Sequence, residues 1–585
     1  MIRNGPSSQQ QIDPVAQRFE SVRSIAPPSE VDRGDPTDVE SLKRSIRSLN
    51  KQRRHEEALQ QLRAAPDVPE AVVLSLEAAI HEAAHRNDLA VELRKRVCEA
   101  QPLSAASQRA LVKALTRAGR MDEAAVEILV LEEFSPREAV LARIQLANAE
   151  FRYVDGLELV ERAIEIDPDN KRNTPLLVNQ LQRAVRSGDP GARARSREVL
   201  SDESLLEQAG LSWMAVIRLA VSIGWLERAA EIAARLEPSQ APPALSRYRA
   251  FERHQAGDVE TARKIWCDIR AEDVLPTTRA LRPGELSRLD DRPLEPFGDE
   301  IRLFTVVRDE LPRLPWFLDY YRALGVDRFI FVDNGSIDGT REFLSEQADV
   351  HLFHTTTPYT EGMCGMVWVN ALGRDFCREG WLLYVDVDEA LVYSDVEKHK
   401  LRGLTSYMDR RGHEAAAGQM VDMFSLDRAD HVGDEGPVDF VARYRHFDYA
   451  YERYPHLECP YFYTSGGIRG LNGFSSNCTK TPLIRAGRDI MFLGSSHTVT
   501  PAAISDVDIA LLHYKYTQDV VVELEAEARR HRPTMCQARY RAYQKLFADG
   551  GLDALIEGRS TVARYESSRS LRSAGLLAPL PAGFA

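Results

Sequence analysis

The stretch WLLYVDVDEAL, residues 381–391, ends an apolar run with two aspartates set two positions apart. Alternate residues of a β-strand share a face, so Asp386 and Asp388 are predicted to point the same way. Two carboxylates on one face repel each other unless a positive charge lies between them, and carboxylate oxygens are suitable ligands for Mg²⁺ or Mn²⁺. The motif therefore predicts a divalent cation that holds a phosphate.

The same motif has a plainer interpretation, since Asp-x-Asp occurs by chance in acidic chains, where it caps a helix or lines a turn. The apolar run WLLYV favours the metal site. A strand buried on both faces is typical of a parallel sheet, and parallel sheets bind ligands beyond the carboxyl ends of their strands. The two aspartates follow such an end.

A β-α-β unit is predicted upstream of this motif. Residues 303–307 are apolar and β-branched, and residues 311–324 carry apolar side chains at helical spacing, with Pro312 near the start and Gly325 just past the end. Residues 329–332 predict a second strand. It should run parallel to the first, because the crossover between them is right-handed and helical.

Polar residues follow both strands of this unit and are expected to meet at one sheet edge. They are Arg308, Glu310, Asp333 and Ser336. Each could equally be a solvated loop charge or a turn former, and the string DNGS is typical of a turn. Asp333 differs from the others, because it ends its strand and is expected to face the same crevice as Asp386.

Taken in order, VVRDE, FVDNGSIDGT and YVDVDEAL resemble glycosyltransferase family 2 and its relatives of the GT-A fold. The resemblance is to the branch whose Asp-x-Asp motif continues as Asp-x-Asp-Glu, and it covers roughly residues 301 to 516. It implies an α/β, Rossmann-like domain that transfers a sugar from a nucleotide-sugar donor. The family usually has Asn at the position of Asp309, which leaves the contact of that side chain open.

The resemblance also implies roles for the polar residues. Asp333 would hydrogen-bond the base of the nucleotide, and Arg308, Glu310 and Ser336 would line the nucleotide pocket. Asp386 and Asp388 would serve the ribose, the metal and the diphosphate. Many GT-A enzymes complete the metal site with a histidine near the end of the domain.

Two histidines are candidates for that third ligand. In ALLHYKY, residues 510–516, His513 shares a strand face with Leu511 and Lys515. A lone histidine in an apolar run is more often a packed core residue, but the resemblance favours His513 as a ligand together with Asp386 and Asp388. His497, in GSSHTVTP, is the competitor, and its expected role is that of a hydrogen-bonded loop residue.

Glycosyl transfer also needs charge compensation and a base. Arg469 and Lys480 stand beside glycines and could bind the diphosphate or an anionic acceptor, with solvated loop charges as the alternative. The acceptor hydroxyl must lose a proton to a base on the face opposite the leaving group. Asp422 is the first candidate for this base and Glu458 is the second, although either could be structural.

The predicted function is thus metal-dependent glycosyl transfer in the hexosyltransferase class, as in glycan biosynthesis. The donor would be a nucleotide sugar, which we expect to be UDP-linked, and the acceptor would be an unidentified hydroxyl of a glycan, lipid or protein. The cofactor would be Mn²⁺ or Mg²⁺. The resemblance implies that the transfer inverts the anomeric configuration. One alternative is an interaction scaffold carrying an inactive GT-A domain. A phosphatase of the haloacid dehalogenase type is disfavoured, because it requires Thr or Val where this chain has Ala390.

The N-terminal half contains a different pattern, in which alanines recur in similar helical strings. The strings RHEEALQQL, NDLAVEL and GRMDEAAVEIL contain Ala58, Ala90 and Ala124, and GWLERAAEI and GDVETARKIW contain Ala229 and Ala262. A period of about 34 residues is typical of tetratricopeptide repeats. Small residues at fixed intervals let paired helices approach, which predicts an α-helical solenoid that could also bind a protein partner.

The predicted organisation is therefore multidomain. It has a disordered leader (1–37), tetratricopeptide-like helices (38–270), a linker (271–299), the GT-A domain (300–517), and a C-terminal helical extension and tail (518–585). The net charge of -13 argues against nucleic-acid binding. No apolar stretch is long enough for a membrane helix, the start lacks a signal-peptide core, and the seven cysteines form no Cys-x-x-Cys pair. A cytoplasmic location is expected, or a peripheral one at the inner face of the membrane.

Overall fold

The computed structural model describes residues 36–51, 54–65, 68–84, 86–207, 212–236, 243–272, 277, 279–294, 300–359, 361–426, 440–472, 477–487, 489–515, 556 and 558–584. The predicted leader, up to residue 35, and the helical pattern of residues 516–555 lie outside these ranges. The chain divides into two compact units, Met1–Gln180 with Val521–Gly551 and Leu181–Val520 with Leu552–Ala585. Within the described ranges, no helix is both long enough and apolar enough to cross a membrane.

The described part of the first unit is helical. Its helices are α1 (Pro36–Lys51), α2 (His55–Arg63), α3 (Glu70–Ala83), α4 (Asn87–Ala100), α5 (Ala105–Arg117), α6 (Met121–Glu132), α7 (Pro136–Ala149) and α8 (Tyr153–Ile166). The next helix, α9 (Asn173–Arg186), contains the division between the units. The prediction of helical repeats in this region is confirmed.

The recurring alanines lie at equivalent, fully buried positions of their helices. The starts of α2, α4, α6 and α8 are residues 55, 87, 121 and 153, so the repeat intervals are 32, 34 and 32. Ala58, Ala90 and Ala124 occupy the fourth position of their helices and have no exposed surface. Gly156 holds that position in α8, and a Cβ there would lie 2.3 Å from the Gln180 Nε2 atom. Packing therefore requires a small residue at this position of each repeat.

The second unit begins with further helices and continues into a mixed sheet. The helices are α10 (Pro190–Ser201), α11 (Glu203–Leu206), α12 (Trp213–Ser222), α13 (Leu226–Ala234), α14 (Pro243–Gln255) and α15 (Val259–Glu272). Ala229 in α13 and Ala262 in α15 are again fully buried. The small-residue pattern thus continues through both units.

The last helices are bonded to the sheet domain, which differs from the predicted boundary at residue 270. Arg263 donates to the Pro501 carbonyl at 3.0 Å and pairs with Glu414, and the His254 Nε2 atom lies 2.9 Å from the Ala502 carbonyl oxygen. Trp266 packs against Leu493. The compact units divide at Gln180 and Leu181 instead, because these contacts join α14 and α15 to the sheet.

The sheet domain contains a run of strands and helices in chain order. The elements are β1 (Ser287–Arg288), β2 (Ile301–Val307), α16 (Leu314–Leu324), β3 (Arg328–Asp333), α17 (Thr340–Ser345), β4 (Val350–His354), α18 (Met366–Phe376), β5 (Trp381–Tyr384), β6 (Glu389–Tyr393), α19 (Val396–Arg411), β7 (Ala415–Phe424), α20 (Phe440–Arg443), β8 (His446–Asp448), β9 (Tyr451–Pro455), β10 (Phe462–Gly466), a 3₁₀ turn (Gly467–Asn472), β11 (Thr479–Arg485), β12 (Ile509–His513), β13 (Val562–Arg564) and α21 (Ser568–Ser573).

The strands follow the spatial order β1-β4-β3-β2-β5-β11-β7-β12-β6. β2, β3, β4 and β5 are parallel, and β11 then pairs antiparallel with both β5 and β7. β12 runs parallel to β7 and antiparallel to β6. β9 and β10 form a separate hairpin. The chain is thus a helical repeat region followed by a mixed α/β sheet domain.

The predicted β-α-β unit is confirmed. β2 and β3 pair in parallel, and α16 ends at Gly325, whose φ of 98° is the left-handed conformation that glycine adopts readily. The helix begins at Leu314, later than predicted. The Leu311 amide donates to the Asp338 carboxylate at 3.0 Å, which holds the preceding residues in a turn.

The segments predicted as a linker and as a helical tail are partly built into the sheet domain. β1 and Thr277 belong to the predicted linker. β1 pairs with β4, and the Thr277 hydroxyl donates to the Leu493 carbonyl at 2.8 Å. In the C-terminal segment, β13 pairs with β8, and the Phe584 ring lies 5.0 Å from the Tyr407 ring. The linker prediction is wrong for these residues, and the tail is not purely helical, because both segments contribute strands.

We predict that Ala124→Leu lowers the stability of the helical repeats, because the larger side chain has no space between α6 and its neighbours. The expected loss is about 1–3 kcal/mol of unfolding free energy. Ala125→Leu is the matched control, since Ala125 is exposed on the same helix, and its expected effect is within about 0.5 kcal/mol. Urea unfolding followed by circular dichroism measures both; equal effects would contradict the packing role of Ala124.

Candidate active site

The Asp-x-Asp pair lies in a turn, which corrects the prediction that both aspartates share one strand face. β5 ends at Tyr384 and β6 begins at Glu389, and the Glu389 amide closes the turn by donating to the Asp386 carbonyl at 3.0 Å. β5 and β6 are far apart in the strand order, so this turn carries the chain across the sheet. Asp386 and Asp388 consequently reach different partners.

Asp386 is paired with a buried lysine. The Lys480 Nζ atom lies 2.5 Å from Asp386 Oδ2 and also contacts the Glu389 carboxylate. The Tyr384 hydroxyl donates to Asp386 Oδ1 at 3.0 Å. Burial disfavours the charged ammonium, but Asp386 and Glu389 more than offset it and raise the pKa of Lys480. The positive charge that the carboxylates require is therefore supplied, in part, by the protein itself.

The alternative of a solvated loop charge is wrong for both Lys480 and Arg469. The Lys480 side chain is 4% exposed and that of Arg469 is 7% exposed. Lys480 is on β11, in the middle of the sheet, and Arg469 is in the 3₁₀ turn that follows β10. Each meets a carboxylate inside the protein, because a buried cation needs an anionic partner.

Sheet register brings an acid, a histidine and another acid side by side. His513 ends β12, where its Cα partner is Glu389 on the antiparallel neighbour β6 and Asp422 on the parallel neighbour β7. Registered neighbours project to the same face of a sheet. Glu389, His513 and Asp422 therefore form one row across three strands.

The Asp422 carboxylate orients the imidazole of His513. Its Oδ1 atom lies 2.6 Å from His513 Nδ1, and both of its oxygens accept from Arg469 at 2.7 Å. Arg469 Nη2 also lies 2.9 Å from Nδ1, but the shorter contact is to an ionised carboxylate, which can only accept. The proton is therefore assigned to Nδ1, and the Nε2 lone pair is directed away from Asp422. Burial opposes ionisation of Asp422, yet Arg469 and His513 lower its pKa to about 2.

His513 Nε2 faces the remaining aspartate, and together these groups can hold a cation. The Nε2 atom lies 3.5 Å from Asp388 Oδ2. Asp388, Glu389 and His513 each offer one ligand atom, and these atoms lie within 4.8 Å of one another. One imidazole nitrogen and two carboxylate oxygens suit Mn²⁺, and a histidine held by a carboxylate on its other nitrogen is the usual form of a metal ligand.

The candidate metal set differs from the predicted one by a single residue. Asp388 and His513 belong to it. Glu389 takes the place of Asp386, although Lys480 contacts both of these carboxylates. Burial opposes ionisation of Asp388, but His513 and Lys515 keep its pKa at about 2, so its carboxylate is charged at neutral pH. The sequence contains Glu389 as the last residue of the Asp-x-Asp-Glu motif. The sequence does not predict the register that places Glu389 opposite His513.

Asp333 lies at the strand end, as predicted, but its side chain is turned into its own loop. The carboxylate is fully buried and accepts from the Ser336 amide at 3.0 Å. Arg341 donates to it at 2.9 Å, and His354 Nδ1 lies 2.9 Å away. Asp333 thus shapes the loop 334–340 and does not itself open onto a crevice.

The loop after β2 is tied to the loop after β3. The Asp309 amide donates to the Ser336 hydroxyl at 2.9 Å, and the Asp309 carboxylate accepts from the Ile337 amide at 2.8 Å. Asp309 has a φ of 56°, a conformation that Asp and Asn tolerate better than most residues. Glu310 pairs with Arg313 at 2.7 Å, and Arg308 is exposed. The two loops therefore form one edge, as the sequence predicts.

This edge adjoins the point where the order of the parallel strands reverses. β3 and β4 lie on one side of β2, and β5 lies on the other. In open α/β sheets, ligands bind in the crevice beyond the carboxyl ends of the strands at such a reversal. The Arg308 loop follows β2, and the turn with Asp386 follows β5.

Two other candidates have roles outside the metal set. Glu458 is in the loop between β9 and β10 and lies 3.3 Å from Arg247 of α14, so it is paired with the helices. His497 contacts the Thr479 carbonyl through Nδ1 and is a hydrogen-bonded loop residue, as expected. Burial, followed by the positive charge of Lys480, lowers its pKa to about 4, which keeps the ring neutral.

No protein-family model matches the sequence, and the comparison with curated proteins gives no match. Among solved structures, the chain is similar to a tetratricopeptide repeat protein from Parabacteroides merdae, with 14% identity over 40% of this chain and 94% of that chain and a TM-score of 0.29. It is similar to Pseudomonas aeruginosa pilF, with 13% identity over 37% of this chain and 97% of that chain and a TM-score of 0.25. It is also similar to a mutant O-GlcNAc transferase from Thermobaculum terrenum, with 13% identity over 59% of this chain and 46% of that chain and a TM-score of 0.16. These TM-scores are too low for an inference about the fold or the function of this chain.

We predict that replacing Lys480 destabilises the sheet domain. Lys480→Met removes the ammonium and leaves the fully buried Glu389 carboxylate without its cationic partner. The expected loss is about 3–5 kcal/mol of unfolding free energy. Lys398→Met is the control, because that lysine is exposed and pairs with the Asp395 carboxylate at the surface. Thermal unfolding in the absence of divalent cations measures the stability of both variants. Melting temperatures equal to that of the parent in both variants would contradict the stabilising role of the Lys480 pair.

Proposed function

We propose that the second unit is a metal-dependent glycosyltransferase with the GT-A fold, which moves a sugar from a nucleotide-sugar donor to a hydroxyl acceptor. The observation that carries the proposal is the His513 imidazole, which Asp422 holds on one nitrogen while the other faces Asp388 beside Glu389. The parallel strands supply the second support, since the strand order reverses next to the turn that carries Asp386 and Asp388.

Asp388, Glu389 and His513 would hold the Mn²⁺ or Mg²⁺ ion. When bound, such an ion supplies positive charge to a diphosphate leaving group without any proton transfer. Arg308 and the joined loops after β2 and β3 would line the nucleotide pocket, where exposed backbone and the Arg308 guanidinium can contact the donor. Asp333 serves that pocket through the loop 334–340, which it holds in shape.

Lys480 gives the same centre a fixed positive charge. Its ammonium is within hydrogen-bond distance of Asp386, whose side chain remains 39% exposed. Asp386 can therefore accept a hydrogen bond from a donor hydroxyl while its charge stays compensated. This arrangement agrees with a ribose-binding role for Asp386 and leaves cation binding to the neighbouring Asp388.

Asp422 is better suited to position His513 than to act as the acceptor base. Its side chain is 1% exposed, and Arg469 occupies both carboxylate oxygens. A carboxylate with a pKa of about 2 is also a weak base. We therefore assign Asp422 and Arg469 as a pair that fixes the orientation and tautomer of the imidazole.

One observation favours the alternative of an interaction scaffold with an inactive domain. Lys480 already compensates Asp386 and Glu389, at a place where a catalytic cation was expected. In that case the helical repeats would be the working surface, with a protein partner as their ligand. Metal-dependent binding of a nucleotide separates the two functions, because the scaffold requires neither the ion nor the nucleotide.

We predict that Asp388→Asn weakens Mn²⁺ binding at least about tenfold, because it removes a charged ligand of the set. Asp386→Asn should keep Mn²⁺ affinity within a few-fold, since Asp386 is not one of the three residues of the metal set. Isothermal titration with Mn²⁺ measures the Mn²⁺ affinity of both variants. UDP is then titrated with and without Mn²⁺, and hydrolysis of UDP-sugars is measured with and without chelator. UDP binding that is independent of Mn²⁺ and unchanged in Asp388→Asn would refute the glycosyltransferase proposal.

We predict that Asp422→Asn also weakens Mn²⁺ binding, by about 10- to 100-fold, because it removes the carboxylate behind the ligand histidine. A catalytic base would behave differently, with turnover lost and Mn²⁺ affinity kept. Glu458→Gln is the control, since Glu458 pairs with Arg247 outside the metal set. Unchanged Mn²⁺ affinity in a folded Asp422→Asn variant, together with lost turnover, would restore the base assignment.

A further inference from the structure

A polar cavity of about 280 Å³ lies between the helices of the second unit and the tip of the β9–β10 hairpin. Helix residues Arg186, Arg218 and Arg247 line one side, and His456 and Glu458 of the hairpin loop line the other. None of these side chains belongs to the metal set. The volume suits a small charged group with a few waters, and three guanidinium groups converge on it.

The walls of the cavity are held in place. The Tyr454 hydroxyl donates to the Arg186 carbonyl at 2.7 Å, so the hairpin binds the end of α9 directly. The Arg186 guanidinium lies over the Tyr463 ring at 5.8 Å, and that of Arg247 lies over the Trp266 ring at 5.2 Å. Stacked guanidinium groups keep their donors in a fixed plane, which reduces the entropy lost when a ligand binds.

Positive charges outnumber negative ones among the described residues that line the cavity. These residues include three arginines and one carboxylate, Glu458, which pairs with Arg247 at 3.3 Å. Among the described residues, Arg218 makes no hydrogen bond and no ion pair, and part of its side chain is exposed to solvent. Burial, with Arg247 next in effect, lowers the pKa of Arg218. An anion would relieve the repulsion among the guanidinium groups.

His456 adds a neutral donor to the same cavity. The Glu458 amide donates to His456 Nδ1 at 3.2 Å, so the ring proton is on Nε2. Burial lowers the pKa of His456, which favours the neutral ring. The cavity therefore combines guanidinium groups and an imidazole N–H, the donor types that bind phosphate oxygens.

We propose that this cavity binds a phosphate group, with Arg218 and Arg247 as principal ligands and Arg186 and His456 as supporting donors. The site is independent of the glycosyltransferase proposal. The β9–β10 hairpin leads directly into the turn that carries Arg469, so an occupied cavity would also fasten the segment that supports His513. The phosphate could be the free ion or part of an ester, and both present the same oxygens.

The test uses the full-length protein in chelator, which removes cations from the metal set. Isothermal titration with inorganic phosphate and with phenyl phosphate should show saturable binding, and comparison of the two separates the free ion from an ester. Arg218→Ala should weaken binding at least about tenfold, the usual effect of losing one charge-assisted pair. Arg249→Ala is the matched control, because Arg249 is exposed on α14 beside Arg247, and it should bind like the parent.

Three results would overturn the proposal. The first is phosphate binding weaker than a Kd of about 1 mM. The second is equal phosphate affinity in Arg218→Ala and in the parent. The third is loss of phosphate binding in Asp388→Asn. The last would place the phosphate at the metal set. Because chelator and Asp388→Asn remove only that set, failure of the anion site and failure of the glycosyltransferase proposal give different results. A second variant, Arg247→Gln, keeps the test decisive if Arg218→Ala misfolds.

Discussion

The balance of charge inside the sheet is the constraint on which the rest of the site depends. Glu389 and Asp422 are buried acids on β6 and β7. Glu389 pairs with Lys480, which also contacts Asp386, and Asp422 pairs with Arg469. Removing a carboxylate from water is unfavourable unless a cation replaces the lost hydration. Two cations brought in by later segments therefore allow β6, β12 and β7 to lie side by side with polar groups at their ends.

The same pairing separates two tasks that the sequence joins in one motif. Asp386 and Asp388 are two residues apart, yet one is compensated by Lys480 and the other faces His513. The turn between β5 and β6 produces this difference, because it directs the two side chains to different strands. A short motif can thus place one acid for hydrogen bonding and its neighbour for cation binding.

Local patterns were sufficient for the β-α-β unit and the helical repeats. Apolar runs, Gly325 and the buried alanines are set by neighbouring residues, and the observed elements agree with them. The metal set could be predicted only in part, since Glu389 joins it through its register with His513, more than a hundred residues away in the chain. The partners of Lys480 and Arg469, and the attachment of α14 and α15 to the sheet, also arise from tertiary contacts that no local spacing encodes.

The position of β11 has a consequence for how the domain assembles. It is the antiparallel strand between β5 and β7, and it joins the parallel strands to the strands that carry Asp422, His513 and Glu389. On a ribosome, β2 to β7 emerge long before β11, so the edges of β5 and β7 stay open during synthesis. Open strand edges pair readily with other chains, and such long-range closure is slow. Protection of these edges during synthesis is therefore expected to raise the yield of folded protein.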